Sequence, residues 1–133
     1  MMSWIAEWHV MIVHFPIGLL TTAAVLDGYG WWRGCARAGT AALLVLGTIG
    51  AWLACLTGLL IRQQRVSRGI WVGTDMAVVL NVHLALSLAA AVLFSVSAIL
   101  RLRGRMPLAL ETGGALVLLV SAHLGGVLAH GGM

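Results

Sequence analysis

Charge is what this chain has least of. Only 9% of its 133 residues are charged; four are acidic, the eight basic ones are all arginine, and lysine is absent. With 61% hydrophobic residues and a mean hydropathy of +1.01, a soluble domain could not hide its apolar surface, so an integral membrane protein in a lipid bilayer is expected. The formal charge of +4 and the pI near 10.6 come without a solvated basic face. That excludes a nucleic-acid partner and leaves the arginines as orientation signals. Cysteine is nearly missing. Cys35 and Cys55 form neither Cys-x-x-Cys-His nor a paired zinc spacing, which argues against covalently attached c-type haem and thiolate zinc. Cys55, in the middle of an apolar run, reads as packing. No nucleophile–base pair or carboxylate cluster is visible, so the chain does not read as an enzyme. No basic leader with a small-residue cleavage site precedes the first apolar run, which is expected to stay as a helix.

What is present is four long apolar runs, at about 9–31, 39–61, 75–100 and 107–130. Each meets the requirement of about 20 residues for crossing a hydrocarbon core of roughly 30 Å. Backbone groups in lipid must be satisfied within the segment, and these runs are too long and too uniformly apolar for barrel strands. The short links predict antiparallel neighbours, hence an all-α, four-transmembrane, up-down helix bundle forming a single domain over 1–133. Arg33 and Arg37 in the first link, with Arg101, Arg103 and Arg105 in the third, outnumber Arg62, Arg65 and Arg68 in the second. The positive-inside bias then places both termini on the extracytoplasmic side. Trp4, Trp8 and Trp71 fall at the outer headgroup belt and Trp31 and Trp32 at the inner one.

Against this background the histidines stand out, because ionisable side chains at membrane depth are costly and mark function. At about 1.5 Å per residue, His14, His83 and His123 fall roughly 7 to 13 Å below the outer ends of their helices. His9 and His130 lie near the boundary on the same side. Five histidines from three helices sharing one half of the membrane predict a metal or haem site or a proton relay; a lone histidine bonded to a backbone carbonyl is the ordinary alternative. Neutral imidazole is the commonest metal ligand. Gly18 and the Gly125-Gly126 pair offer the bulk-free backbone that a flat macrocycle needs, whereas Gly47, Gly50 and Gly58 on the second helix serve equally well as close helix packing.

Haem between facing helices suits a four-helix bundle, and two axial imidazoles suit diagonal helices. The preferred iron ligands are therefore His14 and His83, with His123 as an alternate or, with His9 or His130, part of a second site. Asn81 and Ser87 are placed to orient His83, or to bond between helices. Met11 and Met76 are alternative ligands or core filler. Arg62, Arg65 and Arg68 could meet haem propionates or water. Asp27 is expected to pair with an arginine at the inner interface, with a role in a proton relay as the alternative, Asp75 to cap a helix, and Pro16 to kink the first helix or to aim His14 inward.

The run His9-Val10-Met11-Ile12-Val13-His14-Phe15-Pro16-Ile17-Gly18-Leu19-Leu20, followed by Asp27, resembles the His-Pro-x-x-Val-His-Phe-Pro-Ile opening of the bacterial membrane family catalogued as domain of unknown function 2231. His83 and the ending Leu124-Gly125-Gly126-Val127-Leu128-Ala129-His130-Gly131 are similar to its helix-3 histidine and its Gly-Gly-x-Leu-x-x-His-Gly ending. Val10 stands where the family usually has proline, and His123 lies outside the pattern. Members are fused to Rieske iron–sulfur or c-type cytochrome modules, so the resemblance implies membrane electron transfer.

The expectation is a b-type cytochrome-like subunit of the bacterial cytoplasmic membrane, carrying one or two b haems near the extracytoplasmic side. It would work within a larger complex and exchange electrons with a c-type cytochrome or a quinone. Two other classes stay open: a copper- or zinc-binding membrane protein, and a cofactor-free structural or assembly subunit.

Overall fold

A computed structural model describes residues 3–35, 39–69 and 75–130, with side chains from Trp8 onward. Four helices account for nearly all of them: α1 (Ser3–Arg33), α2 (Thr40–Ser67), α3 (Asp75–Leu102) and α4 (Leu108–His130). All four are long and apolar enough to cross a membrane. The chain is a multi-pass membrane bundle, as its apolar runs require.

Two helix ends are set by glycine. Gly34, at φ 66°, and Gly104, at φ 74°, adopt the left-handed conformation that other residues resist. The Cys35 N–H then reaches back to the Gly30 carbonyl (2.9 Å) and the Arg105 N–H to the Leu100 carbonyl (3.0 Å). Those bonds satisfy carbonyls that the last turn leaves open. Pro107, lacking an N–H, sits just before α4 and accepts from Glu111 N–H at 3.1 Å.

The apolar runs understate the helices. α2 continues six residues beyond position 61, so Arg62 and Arg65 belong to its last turns rather than to a loop. Hydropathy locates what sits in lipid, while Arg and Gln extend a helix readily into the headgroups. α1 likewise starts ahead of position 9. Arg37, Trp71 and the Trp4 side chain lie outside the described residues, whereas Trp8, Trp31 and Trp32 are exposed, as belt residues should be.

Packing runs round a ring. α1 lies principally against α2 and α4, and α3 against α2 and α4, so α1 and α3 are diagonal. The ring closes on Leu20, Leu44 and Phe94, each fully buried. Glycine lets the backbones approach there. A Cβ on Gly47 would stand 2.7 Å from Leu20 Cγ, and one on Gly114 would stand 3.1 Å from the Phe94 ring. Membrane helices associate by such close contact, since lipid offers no hydrophobic drive between them.

A heptad governs each interior face, because seven residues at about 100° return almost to the same direction. On α1 it runs through His9, Pro16, Leu20, Ala23, Asp27 and Gly30; on α3, through His83, Ser87, Ala90, Phe94, Ser97 and Arg101. Both stripes are apolar in the middle and polar at the ends. The bundle therefore has two polar layers, a histidine layer toward the termini and a charged layer toward the α1–α2 and α3–α4 links. From His9 to Asp27, and from His83 to Arg101, the helical rise is about 27 Å.

Candidate functional site

The histidine layer starts from two rings that face inward. His9, half-buried, bonds through Nδ1 to Thr57 Oγ1 at 2.7 Å. The Thr57 hydroxyl points its single proton at the Leu53 and Ala54 carbonyls (3.0 Å each), so the imidazole donates and Thr57 accepts. His83 Nδ1 lies 2.8 Å from the Ser121 carbonyl, a group that can only accept. Both rings thus carry a proton on Nδ1, which in the neutral imidazole leaves the lone pair on Nε2. That is the tautomer in which metal-binding histidines are commonly held.

Small and hydroxyl residues complete the layer. Gly58 faces His9: a Cβ there would come within 3.3 Å of His9 Cε1. Gly125 faces His83, where a Cβ would come within 3.0 Å of His83 Cε1. Ser121 Oγ sits 3.1 Å from His83 Nδ1 and 2.7 Å from Ser87 Oγ, while Ser87 donates to the His83 carbonyl at 2.8 Å. α1 and α3 are diagonal, and both rings turn into the bundle at the same end, His9 toward α2 and His83 toward α4. Two neutral imidazoles from opposite corners, each fixed at one nitrogen, can share a single electron-poor centre.

Depth does not translate into direction for the other three histidines. His14 is exposed, its Nδ1 2.5 Å from the Val10 carbonyl of its own helix. Five residues separate it from His9, which is about 140° of helix rotation, so the two cannot both face inward. The face that continues from His14 through Gly18 and Val25 is exposed. His123 and His130 share one exposed stripe of α4, and His130 Nδ1 bonds to its own Gly126 carbonyl at 2.8 Å. Among the described residues, no three His, Cys, Asp or Glu side chains gather in a group that could hold a metal ion. Of the glycines expected beside a cofactor, Gly125 meets a histidine, while a Cβ on Gly18 or Gly126 would meet nothing within 4 Å. Asn81 bonds to Arg62 Nε at 3.2 Å and not to His83.

At the other end, all four helices contribute to the charged layer. Arg101 on α3 donates to Asp27 Oδ1 on α1 at 2.7 Å and to Thr40 Oγ1 on α2 at 2.5 Å. Asp27 and Thr40 are buried, so the expected aspartate–arginine pair is turned into the bundle at its link end. Glu111 on α4 is fully buried at the same end, where α1 and α4 pack so that a Cβ on Gly28 would stand 3.9 Å from Leu108 Cδ1, and it feels the charges of Asp27 and Arg101. Sequence reasoning passes over Glu111, which stands at the start of an apolar run where water would be expected. The signal it carries is its register with Gly114, Leu118, Ser121 and Gly125, the interior stripe of α4.

No curated protein and no solved structure matches the chain. The family model described as "Predicted membrane protein (DUF2231)" matches residues 7–133, nearly the whole bundle including both polar layers, and the chain belongs to that family.

Proposed function

We propose that the chain is a non-enzymatic electron-transfer subunit in which His9 and His83 hold a b-type haem between α1 and α3. The observation that carries this reading is the pair of inward imidazoles on diagonal helices, each with Nδ1–H committed to a fixed acceptor. The donor set suits the group, since two neutral Nε2 atoms are what low-spin haem iron takes, and Gly58 and Gly125 keep Cβ atoms away from both rings. When bound, the haem supplies one-electron chemistry. Thr57 and Ser121 hold the rings in one tautomer, and the packed apolar middle keeps water from crossing the bundle. His14 is replaced by His9 as the preferred partner of His83, because His14 bonds back to its own helix on the exposed face.

The termini end carries this layer, and the arginine bias supports an extracytoplasmic position for that end. A c-type cytochrome or a membrane quinone is the fitting redox partner, and a larger membrane complex the fitting context for so small a bundle. The test is a visible spectrum of the purified protein, oxidised and then reduced, together with iron, copper and zinc analysis. A sharp reduced b-type band should vanish in His9→Ala and in His83→Ala but persist in His14→Ala and His123→Ala. A colourless protein containing copper or zinc would favour a metal-handling role, and a colourless, metal-free one a structural subunit.

A further inference from the structure

The charged layer lies about 27 Å of helical rise from the histidines and its chemistry needs no cofactor. Among the described residues, three ionisable groups meet there. Arg101 supplies one positive charge, and Asp27 and Glu111 supply two carboxylates, both at 0% exposure. Around Glu111 the titratable or charged neighbours among the described residues are Asp27 from α1 and Arg101 from α3. α2 adds the Thr40 hydroxyl, which already accepts from Arg101.

Hydrogen bonding shows what is missing. Asp27 Oδ1 is bonded to Arg101, but Asp27 Oδ2 and both oxygens of Glu111 are buried without a donor. Both carboxylates are nevertheless turned into the bundle at the end where α1 meets α4, a Cβ on Gly28 standing 3.9 Å from Leu108 Cδ1. Two ionised carboxylates in that position would repel, each offering acceptors to the other and neither a donor. Helix ends do not resolve the imbalance. The N-termini of α2 and α4 and the C-termini of α1 and α3 meet at this end with opposing partial charges. A metal cation is disfavoured by the guanidinium 2.7 Å from Asp27. A proton fits: it turns one carboxylate into a donor for the other and makes the cluster neutral.

We propose that Asp27 and Glu111 form a buried proton-binding site, taking up one proton from water at the α1–α2 and α3–α4 link end of the bundle. In the uptake step, hydronium gives its proton to a Glu111 carboxylate oxygen and leaves as water. The new O–H donates to Asp27 Oδ2, and Asp27 remains the counter-ion of Arg101. The site is shallow enough to exchange: Thr40 opens α2, Arg101 is the next-to-last residue of α3, and Glu111 lies in the first turn of α4.

Infrared spectroscopy of the full-length protein at neutral pH tests this without reference to haem, so failure here and failure of the cytochrome reading are separate results. The wild type should show a protonated carboxyl C=O stretch that shifts on transfer into D2O. Glu111→Gln and Asp27→Asn should each abolish it, since either leaves one carboxylate for one arginine, while Asp75→Asn should leave it in place. Glu111→Gln, a neutral isostere of the protonated form, should unfold at the wild-type temperature in the same detergent. Absence of the band, a band that does not shift in D2O, its survival in either variant, or collapse of Glu111→Gln would overturn the proposal.

Discussion

His83 shows how much a single atom contact decides. Its Nδ1 sits between the Ser121 carbonyl and the Ser121 hydroxyl, and its Cε1 edge presses on the backbone of Gly125. A methyl group on Gly125 would come within 3.0 Å of that edge, closer than ordinary contacts, so the ring must turn. Gly125→Ala is expected to lower cofactor content relative to wild type, read as the ratio of visible to ultraviolet absorbance. Gly126→Ala, which meets nothing within 4 Å, should leave that ratio unchanged and stabilise the helix by up to about 1 kcal/mol. Equal loss in both variants would mean that the glycine pair serves helix packing alone. The same scale separates His9 from His14. Both were legible as unusual residues at membrane depth, but only the carbonyl that captures His14 on its own helix reveals that it faces out.

At the scale of the helices, fit between α1 and α2 rests on glycine more than on matching hydrophobic faces. Gly47 lies where a Cβ would stand 2.7 Å from two Leu20 atoms, and Leu20 is fully buried. Gly47→Ala should therefore cost about 1–3 kcal/mol through overpacking, measured by thermal or denaturant unfolding in detergent. Adding Leu20→Val should recover part of that loss. No recovery would place the strain elsewhere. Helix number, order and approximate spans were legible because lipid demands apolar residues along the whole of each crossing. The rotation of each helix was not. Bilayer and bundle interior are equally apolar, so the contrast that marks the inner face of a soluble helix is absent. In α1 the spacing of Pro16, Leu20, Ala23 and Asp27 carries the phase, and that stripe stands out only once Ala23 and Asp27 are seen buried together.

For the molecule as a whole, the two polar layers give the bundle distinct ends, and the proposed orientation puts the histidine end outside the cytoplasm. Cys35 offers a native probe, being exposed beside the first link while Cys55 is buried in α2. A membrane-impermeant thiol reagent should label the protein in inverted vesicles and not in intact spheroplasts, with labelling lost in Cys35→Ser. The reverse pattern would put the histidine layer on the cytoplasmic side and exchange the partners proposed for each end.

Composition alone determined that the chain lives in a bilayer as four helices, because so few charges and so many apolar residues have no other stable arrangement. The sequence also marked His14 and His83 first, and with them His9, His123, His130 and Asp27, as residues too costly to be incidental. Which of them meet was decided by tertiary packing. His9 and His83 turn inward at one end of the bundle, and Glu111 turns in at the other end with Asp27 and Arg101, because close contact through Gly47, Gly58, Gly114 and Gly125 fixes how each helix is turned. Hydropathy is blind to that rotation, since a side chain facing lipid and one facing the core have the same apolar surroundings.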